Sequence, residues 1–188
     1  MKIVVATHNA HKLEEISAIL PGFEIVSDDP DVEETEPDFA GNALVKARAA
    51  AARHPGEWTM ADDSGLQVDA LGGAPGVRSA RYAGEPSSTP ANNALLLKNL
   101  EGVEDRKARF VCAIALVDPS GKEHSVEGRC EGRIALAPSG GGGFGYDPLF
   151  VPDGYDITFA ELGEKVKNSI SHRARALAAA RAVISGVP

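Results

Sequence analysis

The sequence predicts an α/β protein built around a mixed sheet. Short β-branched runs alternate with helical stretches in the first half, two β-rich segments flank a tight turn in the second, and a helix-forming stretch closes the chain. Lys2-Ile3-Val4-Val5-Ala6 is a continuously apolar run of the kind a buried strand requires, and Leu13, Ile16, Ile19 and Leu20 then recur at helical spacing until Pro21-Gly22 stops them. Phe23 to Val26 reads as a second strand. Residues 28–38 carry seven carboxylates interrupted by Pro30 and Pro37, which makes an acidic loop. The Ala-rich run from Phe39 to about His54 has high helix propensity. Trp58 to Ala61 is a predicted strand leading into Asp62-Asp63-Ser64-Gly65, with a tight Gly/Pro loop at residues 72–76 and a helix from Pro90 to Leu100. Ala108 to Val117 and Lys122 to Leu136 lie either side of the turn Asp118-Pro119-Ser120-Gly121, so this half is expected to be antiparallel. Thr158 with Glu161 forms a capping-box pattern, and one long helix is predicted from about Lys165 to Ser185, before Gly186.

The 188 residues, 43% hydrophobic and 24% charged, fit a single globular domain, with no repeat or low-complexity linker to divide residues 1–188. The net charge of −8 argues against non-specific binding to DNA or RNA, which draws its affinity from Lys and Arg on phosphates, but leaves room for a small anion met by a local cationic cluster or a metal. The opening apolar run is too short for a signal-peptide core and no run approaches membrane-spanning length, so no membrane association and a cytoplasmic location are expected. Cys112 and Cys130 flank the hairpin turn and could meet across strands; in a reducing cytosol two ordinary buried thiols are expected.

Gly140, Gly142 and Gly145 spell G-x-G-x-x-G, but Tyr146-Asp147-Pro148 follows where a dinucleotide fingerprint must open a helix. There is no P-loop and no G-x-S-x-G elbow. Thr7, Asn9 and Lys12 fall where the first strand gives way to the first helix, a good phosphate site because backbone amides and the positive helix end point outward there. The same residues would also serve as a plain cap with a solvated lysine. Adjacent Asp62 and Asp63 repel, so at least one must be exposed, paired or metal-bound; an N-cap plus a surface charge is the simpler alternative. Magnesium takes one or two carboxylates plus water and phosphates, which a pair from Glu34, Asp62 and Asp63 could supply. Lys167, Ser171, His172 and Arg173 are donors for a polar ligand, with Lys167 and Ser171 near one face if the segment is helical. Ordinary surface charge and a structural histidine are the alternatives.

Six ordered blocks resemble the inosine triphosphate pyrophosphatase family, the Ham1-like non-standard purine NTP pyrophosphatases. They are Thr7-x-Asn9-x-x-Lys12; Glu34-Thr35 with Phe39-x-x-Asn42-Ala43-x-x-Lys46-Ala47; Ala61-Asp62-Asp63-Ser64-Gly65-Leu66; Gly72-Gly73-Ala74-Pro75-Gly76 with Ser79-Ala80-Arg81-Tyr82; Phe144-Gly145-Tyr146-Asp147-Pro148; and Lys167 with Ser171-His172-Arg173. His8 and His11 stand where the family often has glycine, and Glu36-Pro37-Asp38 replaces its usual Gly-x-Thr. The resemblance implies an elongated, two-lobed mixed-sheet fold of the ITPase (Ham1/Maf-like) type with the active site in the cleft between lobes, a homodimer, and Mg2+-dependent hydrolysis of ITP, dITP and XTP to monophosphate and pyrophosphate. By that resemblance Thr7, Asn9, Lys12 and Lys46 hold phosphates, Glu34 and Asp63 organise magnesium, and Asp63 accepts a proton, with Asp62 as its understudy. Phe144 and Tyr146 stack and pack against the base, Asp147, Lys167, His172 and Arg173 make polar contacts, and His8, Ala10, His11, Ser64 and Gly145 complete the substrate-binding set. A Maf-like nucleotide pyrophosphatase and a non-catalytic nucleotide-binding regulator are the competing readings.

Overall fold

The computed structural model of the chain describes residues 1–186. Its strands are β1 (Lys2–Val5), β2 (Glu24–Ser27), β3 (Trp58–Val68), β4 (Lys107–Val117), β5 (Glu123–Ile134) and β6 (Phe150–Pro152). Its α-helices are α1 (Ala10–Ile19), α2 (Phe39–Arg53), α3 (Thr89–Asn99), α4 (Phe159–Leu162), α5 (Glu164–Ile170) and α6 (His172–Ser185). The strands form one six-stranded sheet in the order β2-β1-β3-β4-β5-β6. β1 pairs in parallel with β2 and β3, whereas β5 and β6 are antiparallel, so the sheet is mixed as the sequence predicts.

The chain divides into two units. The first takes in Met1–Asp63, Cys112–Gly128 and the segment from His172; the second comprises Ser64–Val111 and Arg129–Ser171. In the first unit, strand alternation sends side chains to two faces. Ile3, Val5, Met60, Cys112, Ile114 and Leu116 pack with Ile16 and Leu20 of α1 and with Ala176, Leu177 and Ala180 of α6. Ala6, Ala61, Ala115 and Val117 meet Ala43, Ala47 and Ala50 of α2 on the other face, where small side chains let the helix lie close to the strands. Gly128 allows a similar approach by α6, since a Cβ there would stand 2.2 Å from the His172 carbonyl oxygen and 2.4 Å from the Ala176 nitrogen.

The second unit is built on aromatics. Phe110 and Phe150 have ring centroids 4.6 Å apart and Phe150 and Phe159 5.2 Å, with Leu66, Leu96, Leu100 and Tyr146 around them. Full burial of one such ring stabilises by about 1.5–3 kcal/mol. The capping box at Thr158 is formed in full, its side chain accepting from the Glu161 backbone and Glu161 accepting from the Thr158 backbone.

Two expectations are corrected. Strand β3 does not end at Ala61 but continues to Val68, so Asp62 and Asp63 lie within a strand and neither is an N-cap. The single C-terminal helix is two: Ser171, with φ −68° and ψ 163°, is extended and separates α5 from α6, so Lys167 and Ser171 do not share a helix face. A short 3-10 stretch, Gly76–Arg81, follows the Gly/Pro loop, and β6 was not foreseen. Both cysteines are free, buried thiols.

Candidate active site

Thr7, His8 and Asn9 lie in the turn from β1 into α1 in the first unit, and Lys12 in the first turn of the helix. Asn9 caps the helix, its side chain accepting from the Lys12 backbone at 3.3 Å, and Thr7 Oγ1 accepts from the Asn9 backbone at 3.1 Å. Capping and ligand binding are therefore compatible: the Asn9 cap uses the amide oxygen and leaves the amide nitrogen as a donor. His8 and His11 are exposed, as is Ala10, and His8 forms an ion pair with Asp29 of the acidic loop.

Asp62 organises the charges behind this loop. One carboxylate oxygen lies 3.2 Å from Lys12 Nζ, and the other accepts from Arg173 Nε at 3.3 Å and Nη2 at 3.1 Å. Its backbone carbonyl accepts from Lys46 Nζ at 2.9 Å. Arg173, buried at 1% exposure, also donates to Glu15. Burial alone would raise the Asp62 carboxyl, but Lys12, Arg173 and Lys46 overcome it and hold the group well below the usual carboxylate range. Burial pushes the Cys112 thiol, 3.9 Å from Asp62, up to about 12, helped by the Asp62 charge, so it stays protonated.

Asp63 next door is shifted in the opposite direction. Burial, with the charge of Glu34 adding to it, pushes Asp63 up to about 6 despite Lys46, Lys12 and the hydrogen bond from Asn42. Asn42 Nδ2 donates to Asp63 Oδ2 at 3.2 Å, while Asn42 Oδ1 accepts from the Glu36 backbone at 2.9 Å, tying the acidic loop to the strand. Lys46 Nζ donates to Glu34 Oε1 at 2.8 Å. Burial pulls the Lys46 ammonium down, but Asp62, Glu34 and Asp63 outweigh it and hold it above its ordinary value. A carboxylate raised by a neighbouring carboxylate is one that a hard divalent cation relieves, and magnesium can make do with one or two carboxylates besides water and phosphate oxygens. Among the described residues there is no group of three or more His, Cys, Asp or Glu that could hold a metal ion.

The second unit holds Ser64, Phe144–Asp147 and Lys167. Lys167 Nζ donates to Asp147 Oδ2 at 2.7 Å, both side chains 3% exposed, and sits 4.4 Å from the Phe144 ring centroid. Asp147 Oδ2 also accepts from the Phe144 backbone at 3.0 Å, closing the loop on itself. Gly143, at φ +68°, leaves the room this needs, since a Cβ there would stand 2.2 Å from Asp147 Oδ2. Tyr146 is buried in the aromatic core, and its hydroxyl donates to the Ser79 carbonyl at 2.6 Å. Ser64 is the first residue of this unit and Gly145 is half-buried beside Phe144; His172, in the first unit, begins α6 and is 4% exposed. Sequence reasoning assigned no role to Glu15, although it shares the α1 face of Lys12 at three-residue spacing, a signal that was available. Asn42 stood in a quoted motif without a function.

Fold and site together define a mixed-sheet α/β protein with a helix-capped loop, two tethered lysines and a carboxylate pair. Residues 3–183 match the Ham1 family, and the chain belongs to it. It is 52% identical, over 98% of its length and 96% of the relative's, to a dITP/XTP pyrophosphatase of Desulforamulus reducens. Among solved structures it resembles the Ham1 protein of Staphylococcus aureus, with TM-score 0.88 and 40% identity over the whole of both chains. It also resembles a nucleoside-triphosphatase (dITP/XTP pyrophosphatase) of Mycobacterium abscessus, with TM-score 0.76 and 51% identity over 95% of this chain and 98% of that one.

Proposed function

We propose that this protein is a magnesium-dependent pyrophosphatase of non-standard purine nucleoside triphosphates, converting ITP, dITP and XTP to monophosphate and pyrophosphate. The observation that carries the reading is the match at about half identity, over nearly the full chain, to relatives named dITP/XTP pyrophosphatase. We read the chain as one catalytic domain acting on the cytoplasmic nucleotide pool as a homodimer, with no nucleic-acid partner.

Water attacks the α-phosphorus, a new P–O bond forms, and the bond to the β-phosphate oxygen breaks as pyrophosphate leaves. Such a reaction depends on positioning and charge stabilisation. Thr7, Asn9, Lys12 and Lys46 are assigned to the phosphates. Asp62 is the poorer candidate for proton acceptor, because a carboxylate held low by Lys12 and Arg173 is a weak base. Without metal Asp63 is raised to about 6, suited to accepting the proton of the attacking water; with magnesium on it the carboxylate is a weaker base and serves more to orient that water. Glu34 and Asp63 would hold magnesium, whose charge, when bound, neutralises that building on the phosphate oxygens.

The loop Phe144–Asp147 with Lys167 is assigned to the base, Phe144 offering a ring face and Lys167 a donor. His172 and Arg173, and the loop positions His8, Ala10, His11, Ser64 and Gly145, remain part of the proposed substrate-binding set. A donor facing the 6-oxo group accepts hypoxanthine and xanthine, whereas adenine leaves it unpaired, a mismatch that can cost about 10⁴–10⁵ in specificity in the most favourable cases. The test is pyrophosphate release from ITP, dITP, XTP, ATP, GTP and dTTP with and without magnesium. Selective, metal-dependent turnover of the first three is expected; no turnover of any triphosphate would point to a binding role, and preference for dTTP to the Maf-like alternative.

A further inference from the structure

The loop Phe144–Asp147 is bolted from behind by helix α3. Asn93 Nδ2 donates to the Gly145 carbonyl at 3.2 Å, while Asn93 Oδ1 is sealed from solvent with no hydrogen-bond partner among the described residues. The preceding residue does a related task. Asn92 Oδ1 accepts from the Ala83 backbone at 2.8 Å and Nδ2 donates to the Ala80 carbonyl at 2.9 Å, fixing the stretch whose Ser79 carbonyl receives the Tyr146 hydroxyl. Two adjacent amides on one helix thus brace Gly145 directly and Tyr146 through Ser79.

The stranded oxygen is the informative part. A buried acceptor without a partner costs about 1–3 kcal/mol, so an apolar side chain of similar size would be the better choice at this position if packing were its only task. What asparagine adds is the donor to Gly145, a residue at φ +60° that stands between Phe144 and Tyr146. We propose that Asn93 is a specificity-determining positioning residue, holding the Gly145 peptide so that Phe144 and Lys167 present one fixed surface to a 6-oxopurine. This rests on the reading that the loop faces the base.

The test compares Asn93→Leu with wild type in steady-state turnover of ITP and ATP and in thermal melting. Leucine removes the Gly145 tether and the stranded oxygen together. The melting temperature is therefore expected to hold within a few degrees, while KM for ITP rises, kcat changes little, and the ITP-over-ATP ratio of kcat/KM falls about tenfold or more. Asn93→Ala, which adds no bulk, carries the same expectation if leucine is not accommodated. An unchanged ratio in a folded variant overturns the proposal, as does loss of melting temperature with selectivity intact. Phe144→Ala, run alongside, separates the two levels of the argument. If it too leaves the ratio unchanged, the assignment of the loop to the base fails; if it erodes the ratio and Asn93→Leu does not, only the positioning role of Asn93 fails.

Discussion

The two units solve the problem of burying charge in different ways. Around Asp62 and Asp63 the charges are crowded and coupled: the carboxylates of Glu15, Glu34, Asp62 and Asp63 are set against Lys12, Lys46 and Arg173, which leaves one negative charge over. Around Asp147 there is a single neutral pair with Lys167, wrapped in aromatic rings and backbone bonds. The first arrangement has charge to offer a cation and lysines to offer an anion. In the second, the lysine is spent on its own carboxylate and lies over the Phe144 ring.

The sharpest test of the contrast lies between neighbours in one strand. Asp63→Asn is expected to fold with unchanged or higher stability, because it removes a carboxylate whose ionised form burial disfavours, and to lose roughly 10²–10⁴ in kcat. Circular dichroism with steady-state kinetics checks both halves. Asp62→Asn should do the reverse in stability, losing up to about 3 kcal/mol in urea unfolding, since Lys12 and Arg173 lose the carboxylate they share while Arg173 keeps its pair with Glu15.

In the second unit, Lys167→Met strands the Asp147 carboxylate and should cost a comparable amount of stability. Pairing it with Asp147→Asn should recover most of that loss while the preference for ITP over ATP stays eroded, as read by melting and by competition between the two substrates.

The smallest effect is a pH dependence. The native Asp63 keeps its proton to about 6, above the ordinary value of 3.8 that applies in the unfolded chain, so the folded state binds the extra proton between these limits. Its contribution to stability is full at low pH and is lost as pH rises through about 6. Metal-free melts should show this slope in the wild type and not in Asp63→Asn. Magnesium competes with that proton, so its affinity, measured by calorimetry, should fall as pH drops below about 6.

Much of this was legible in the sequence, where the signal was local. The β1 run, the stop at Pro21-Gly22, the α2 alanines and the Thr158 capping box each rest on neighbours a few residues apart, and each element appears within a residue or two of its expected place. The failures are long-range. Asp62-Asp63 looked like a strand end because two carboxylates are poor strand interior, and what keeps them inside β3 includes an arginine 111 residues away. The break at Ser171 lies in a stretch with no proline or glycine between Glu164 and Ser185, so nothing in its own residues marks the end of α5. Likewise the residue types of the candidate site were readable, but that Asp62 holds both lysines while Asp63 is left raised depends on geometry that no spacing encodes.

The central claim is attack at the α-phosphorus with pyrophosphate leaving. Hydrolysis of ITP in ¹⁸O-labelled water, with the products separated and weighed by mass spectrometry, tests it directly. The account predicts label in inosine monophosphate and none in pyrophosphate; label in pyrophosphate, or release of single phosphates carrying it, would contradict the assignment.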